Sequence, residues 1–336
     1  MKTYSDRLFI SFSGGETSAL MTNWCLSNLK DKYKEIKIVF ANTGQEREET
    51  LEFIKECDEH FGFDTVWVEA VVHHGQRKAS SHKIVDFESA SRNGEPFEET
   101  IKKYGIPNQA FPSCTRDLKL APMKSYMRAV GWEAGSYDTA IGIRIDEMDR
   151  INPKHEQLKI IYPMVSGAPM TKADVNTFWA LQPFRLRLKG YEGNCSWCWK
   201  KSLRKHLTLM KERPDLYEFP KRMEALYPNV GPEFSKSNDE MVSKIAAGYK
   251  RTFFRGGMSA DDLEKMAQTE DFEPASDDHV VYSDFALAGL NLDDSLGGCS
   301  EHCEVYHEGD GKDSSMPDFF DEWEDDAAPQ EDRGDK

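Results

Sequence analysis

The chain has 336 residues, a formal net charge of −16 and seven cysteines, long enough for one large domain with appendages or for two domains. No run of eighteen apolar residues occurs, which excludes a membrane-spanning helix. With no apolar leader and no need of disulfide staples at this length, the expected setting is the reducing cytoplasm.

Residues 9–19 read FISFSGGETSA: a short apolar run ends at Phe12 and passes through Ser13, Gly14 and Gly15. Residues 16–29 then carry Ala19, Leu20, Trp24 and Leu26 close to helical spacing. A strand that hands over through glycines to a helix start forms an anion pocket, because main-chain N–H groups converge there and small residues admit a phosphate. The helix dipole adds only about 0.3–1 kcal/mol when exposed, so the N–H groups do most of the holding. No Gly-Lys-Ser/Thr follows, so the Walker pattern is absent. The ordinary alternative is a plain strand–turn–helix connection.

Residues 36–41 (IKIVFA) read as a buried parallel strand ending in Asn42, Thr43 and Gly44. The helix pattern EREETLEFIKECDEHFG follows, acidic in its first turn. Residues 65–71 form a third strand pattern. The polar stretch after it, with His73 and His74, reads as an exposed loop, with an active-site lid as the alternative. Residues 139–143 form a fourth strand pattern, leading into Gly142, Arg144, Glu147 and Arg150. Strands alternating with helices indicate a parallel sheet covered on both faces, with ligands bound beyond the carboxyl ends of the strands. Residues 199–268 read as helical and residues 269–300 as loop. Residues 301–336 hold fourteen Asp/Glu against three Lys/Arg, so this end carries −11 and the first 300 residues only −5. It reads as a disordered acidic tail.

Cys25 and Cys57 fall in helix patterns and read as core thiols. Cys195 and Cys198, beside Gly193 and Asn194, form a CxxC turn that can present two sulfurs to one point. Arg185, Arg187, Lys189, Lys200, Lys201, Arg204 and Lys205 flank this turn among aromatic residues. That pattern suits a nucleic-acid surface, an anion pocket or a solvated helix face. Cys299, His302, Cys303 and His307 read as tail residues, with a small metal site as the alternative.

SFSGGETS resembles the pyrophosphate loop of the phosphoadenosine phosphosulfate (PAPS) reductase family. That family lies within the adenine nucleotide alpha-hydrolase superfamily, which also holds the PP-loop ATP pyrophosphatases. VFANTGQEREET is similar to its DTG…ET segment, AIGIRIDEMDR to its GxRxxES..R element, and IIYPMVSGAPMTKADVNTFW to its YP…DV element. Together these cover about residues 8–200, and the chain resembles the members often encoded by bacteriophages and bacteria. The resemblance implies a three-layer α/β/α parallel sheet over residues 1–198, a helical extension over 199–268, and loop with acidic disordered tail over 269–336. It implies that Ser11, Ser13, Gly14, Gly15, Thr17 and Ser18 cradle a phosphate or sulfate, with Thr43, Gly44, Arg144 and Arg150 near the nucleotide (ATP, APS or PAPS). Arg144 and Lys119 would then hold a sulfonucleotide. The pyrophosphatases carry Asp in SGGxDS where this chain has Thr17.

Iron–sulfur members of the family hold a 4Fe–4S cluster with a Cys-Cys pair and a distant CxxC. Ser113-Cys114 stands at the pair's place, 81 positions before Cys195. The resemblance therefore implies a cluster on Cys114, Cys195 and Cys198, its fourth iron open or bound by Ser113, His206 or an exogenous ligand. Zinc on the same thiolates and unligated thiols are the alternatives. The activity implied is reduction of APS or PAPS by a thiol, Cys303, served by a thioredoxin-like reductant. The alternatives are an ATP-dependent sulfurtransferase that adenylates a nucleic acid or small molecule, and a non-catalytic nucleotide-binding regulator or decoy. The setting implied is the cytoplasm, the host's if the chain is phage-encoded.

Overall fold

A computed structural model of the chain describes residues 2–74, 78–231, 234 and 239–277. Six strands, β1 (Arg7–Ser11), β2 (Glu35–Asn42), β3 (Val66–Val71), β4 (Ser81–Val85), β5 (Asp138–Ala140) and β6 (Ile160–Ile161), form one sheet in the order β4-β3-β2-β1-β5-β6. Neighbours are parallel except β3 and β4. Helices α1 (Glu16–Asn28), α2 (Glu48–Phe61), α3 (Glu95–Tyr104), α4 (Ala121–Ala129) and α5 (Lys172–Ala180) cover its two sides. The fold is the α/β architecture that the strand–helix alternation indicates. Among the described residues no helix is long and apolar enough to cross a membrane.

The order of the strands sets the site. β1 pairs with β2 on one side and with β5 on the other, so the chain's direction of travel across the sheet reverses at β1. A crevice opens at the carboxyl ends there, since consecutive connections leave in opposite directions. β1 and β2 are buried because a parallel sheet is covered on both faces; Leu8, Ile10, Val39 and Phe40 have at most 1% of their surface exposed. α2 stops at Gly62, whose φ of 67° gives the left-handed turn that ends a helix.

Two expectations are corrected. The stretch before Ile84 is not all loop: residues 81–85 form β4, an antiparallel edge strand. Its polar residues suit an edge, and Lys83 pairs at 2.8 Å with the fully buried Glu69. β5 ends at Ala140 rather than at residue 143, because β6 offers only two residues to pair. Gly142 then runs so close to α1 that a Cβ there would lie 3.2 Å from Ser18 Cα.

Beyond the sheet, α6 (Leu203–Glu212), α7 (Glu218–Leu226), α8 (Asp239–Ala246) and α9 (Ala260–Thr269) follow. Apolar residues of α6, α7 and α9 share one core with Phe97, Ile101, Leu118 and Trp197 from earlier in the chain. The acidic tail lies outside the described residues.

Candidate functional site

At the end of β1 the chain bends through Ser13, Gly14 and Gly15 into α1. Gly14 sits at φ +80°, and a Cβ there would press within 2.8 Å of Thr50 Cγ2 and 2.9 Å of Ile54 Cδ1. Only glycine fits. Gly15 is the N-cap of α1 and brings no side-chain cap. Ser18 Oγ holds the bend from inside, donating to the Gly15 carbonyl at 2.9 Å and accepting from the Ser13 N–H at 3.3 Å. The first main-chain bond of the helix runs from Ala19 N–H to the Gly15 carbonyl. Among the described residues, the main-chain N–H groups of Gly14, Gly15 and Thr17 donate to no protein acceptor. Three donors at a helix start are what an anion requires.

Arg144 brings charge to that bend. Its guanidinium donates to Thr17 Oγ1 at 3.1 Å, to Asp146 Oδ1 at 3.0 Å, and lies 3.4 Å from Glu147 Oε1. Arg150 donates to the same Glu147 oxygen at 2.6 Å. Acidic partners thus aim both arginines. Ser11 is buried at the end of β1, its Oγ 3.9 Å from Met123 Sδ.

The end of β2 supplies a second cluster. Gly44, at φ +77°, lets the chain turn against Gly94, where a Cβ would meet the Gly94 Cα at 3.0 Å. Thr43 Oγ1 donates to Glu46 Oε1 at 3.1 Å, and Lys119 Nζ lies 3.2 Å from the same oxygen. Lys119 comes from a π-helical turn, Thr115–Leu120, that leads into α4. Sequence reading missed Glu46, whose acidic neighbours made it look like an ordinary first-turn residue.

The CxxC turn docks on both strand ends. Arg47 N–H donates to the Asn194 carbonyl at 2.8 Å, Ser196 N–H to the Gln45 carbonyl at 3.1 Å, and Trp197 Nε1 to Gln45 Oε1 at 2.6 Å. Asn194 Nδ2 donates to the Ser13 carbonyl at 2.9 Å. Lys201, 2% exposed, caps the Cys195 and Ser196 carbonyls.

The structure does not show the expected cluster or zinc site. Among the described residues no three His, Cys, Asp or Glu side chains are grouped so as to hold a metal ion. Cys114 belongs to the aromatic core, and Cys195 pairs through its main chain with Glu46. His206 Nδ1 meets the Tyr217 hydroxyl at 2.8 Å, and burial holds the imidazole pKa well below its ordinary value. Cys25 and Cys57 are core thiols, pushed up by burial. Cys299 and Cys303 lie outside the described residues.

Much of the basic stretch is paired within the chain. Arg185 makes a two-pronged contact with the buried Glu16 at 3.0 and 3.1 Å. Arg187 reaches Glu52 and Glu56, Lys189 reaches Glu212, and Arg204 lies 3.7 Å from Glu273. His73 and His74 are exposed, bonded to Ser81 and Glu99.

Residues 7–158 match the family model described as the phosphoadenosine phosphosulfate reductase domain. The chain is 28% identical over 306 residues to an uncharacterized nin region protein of Escherichia phage lambda, a match covering 88% of this chain and 94% of the relative. It is 30% identical over 120 residues to an uncharacterized protein of Methanocaldococcus jannaschii, covering 36% of this chain and 19% of that protein.

Proposed function

We propose that the protein, whose residues 7–158 match the phosphoadenosine phosphosulfate reductase domain model, is an enzyme that binds an adenine nucleotide at the Ser-Gly-Gly bend and reduces a sulfonucleotide. One observation carries this reading: among the described residues, the main-chain N–H groups of Gly14, Gly15 and Thr17 meet no protein acceptor, and the Arg144 guanidinium lies 3.1 Å from Thr17 beside them. Donors fixed in advance around an anion need no reorganisation when charge moves onto it. Arg144 and Lys119 would neutralise the anhydride that links phosphate to sulfate.

In the reaction proposed, the Cys303 thiolate attacks the sulfur of the substrate. A sulfur–sulfur bond forms, the sulfur–oxygen bond to phosphate breaks, and the nucleotide leaves with the electron pair. One thiolate of a thioredoxin-like dithiol then attacks the cysteine sulfur and sulfite departs with its electron pair; the second thiolate breaks the resulting mixed disulfide, the Cys303 thiolate leaves, and the dithiol ends as a disulfide. The loop amides and Arg144 stabilise the charge that grows on the leaving phosphate.

The test is calorimetric titration of the full chain with AMP, ATP, APS and PAPS, followed by sulfite assay with a reduced dithiol. Nucleotide binding with sulfite release, lost in Cys303→Ser while binding persists, is the expected result. Binding to none of the four overturns the site. ATP cleaved to AMP and pyrophosphate, with no sulfite from APS or PAPS, establishes the ATP-dependent sulfurtransferase instead. Binding with neither product marks a regulator.

A further inference from the structure

Among the described residues, two acceptor atoms at this site have nothing to accept from. Glu46 Oε2 belongs to a carboxylate with no exposed side-chain surface; its other oxygen receives Thr43 and Lys119, while Oε2 has no hydrogen-bond partner. Asn194 is 7% exposed, and its Oδ1 is likewise without a partner. The orientation of that amide is fixed by Nδ2, which donates to the Ser13 carbonyl at 2.9 Å; the reversed amide would set two oxygens against each other. Buried polar atoms are nearly always paired, because an unpaired one forfeits its hydration with no return.

One orphan borders the Ser-Gly-Gly bend and the other lies next to it across a main-chain pairing. Asn194 touches it directly, and Glu46 lies across the short antiparallel pairing in which Glu46 faces Cys195 and Arg47 N–H meets the Asn194 carbonyl. A carboxylate oxygen and an amide oxygen accept only. The bend, by contrast, offers N–H donors. The site therefore asks for a ligand that is anionic at one end and carries hydroxyl or amine donors a short step away. A nucleoside 5′-phosphate meets that demand with its ribose.

We infer that Glu46 Oε2 and Asn194 Oδ1 receive the sugar hydroxyls of the bound nucleotide, so that the site takes an adenine ribonucleotide whose 2′ and 3′ hydroxyls are both free. This rests on the nucleotide reading above and narrows it: between the two sulfonucleotides, the one without a 3′-phosphate is the substrate. A 3′-phosphate would replace a donor by a dianion facing the Glu46 carboxylate, and like charges repel strongly where water is excluded.

The test is titration of the wild-type full chain with AMP, 2′-deoxy-AMP, 3′-deoxy-AMP and adenosine 3′,5′-bisphosphate. Loss of a hydroxyl donor to a buried carboxylate should weaken binding about tenfold for at least one deoxy analogue. The bisphosphate should bind more weakly than AMP. Glu46→Gln should weaken AMP binding toward that of the deoxy analogues and so flatten the difference between them. Equal binding of AMP and both deoxy analogues overturns the inference and leaves the nucleotide site standing; water then fills the two acceptors. Tighter binding of the bisphosphate also overturns it. Failure of every nucleotide to bind brings down the site reading itself. The wild-type series stands whether or not Glu46→Gln folds, and melting curves report on that variant separately.

Discussion

The core that backs the Ser-Gly-Gly bend is drawn from strands and helices between Leu8 and Leu188, whereas the core behind the CxxC turn joins Ala70, Phe97, Ile101 and Leu118 to residues from Tyr191 to Ala275. The first builds its site from backbone: left-handed glycines, a helix start without a side-chain cap, and strand ends that stop at one edge. The second builds from side chains. Trp197 meets Phe253 at 4.5 Å, Phe97 at 5.2 Å and Phe219 at 5.7 Å, and its indole N–H reaches across to Gln45. A site made of backbone is tolerant of its surroundings and intolerant of a Cβ. A site held by packing is the reverse.

The largest expected effect separates the two. Trp197→Ala removes a side chain 1% exposed at the centre of the aromatic core, and should cost about 3–5 kcal/mol of stability in denaturant titration. Because Trp197 also holds Gln45, nucleotide affinity should fall with it. A variant as stable as wild type would show that the second core is not what holds the CxxC turn. Next in size is a pH effect. Burial pushes the Glu224 carboxyl up to about 7, while the Phe253 and Ala260 N–H groups that it accepts pull it down and nearby Asp261 and Asp262 add to the rise. A carboxyl raised on folding binds more protons when folded. Its contribution is therefore full below about pH 4.5 and is lost as pH rises through 7, about 3 kcal/mol in all. Unfolding free energy measured from pH 5 to 8 should fall with pH in wild type, and less steeply in Glu224→Gln. Parallel profiles would remove Glu224 as the cause.

The backbone side is probed by Gly14→Ala. Left-handed geometry and contact with Thr50 and Ile54 together should cost about 2 kcal/mol. Nucleotide binding should fall far more than stability does, since the bend is the site. Affinity unchanged in a folded variant would place the anion elsewhere.

What could be read from sequence follows the same division. β1, β2 and β3 were legible to within a residue or two, because a parallel strand is a continuous apolar run closed by small residues. β4 was not, because an edge strand exposes one side and reads as polar loop. The Ser-Gly-Gly bend was visible since its chemistry is local. Glu46 and Asn194 were hidden because they matter through pairing between segments some 150 positions apart, which no local pattern carries. The cysteine spacing was legible, but spacing says only that sulfurs can meet; among the described residues no three metal-ligating side chains are grouped so as to hold an ion.

The smallest effect tests the link between the two sides of the crevice. Thr17 is fully buried in the first turn of α1, and its hydroxyl accepts from Arg144 Nη1 across 127 positions of sequence. Thr17→Val keeps the volume and the β-branch and removes only that acceptor. Arg144 keeps its bonds to Asp146 and Glu147, so it stays near the bend with looser aim. A hydrogen bond to a charged donor is worth roughly 1–2 kcal/mol, so nucleotide affinity should drop about five- to tenfold while the melting temperature moves little. If Arg144 instead serves only to brace Asp146 and Glu147, affinity in Thr17→Val will match wild type and melting alone will shift. The ratio of the two changes therefore tells whether the guanidinium faces the ligand or the fold.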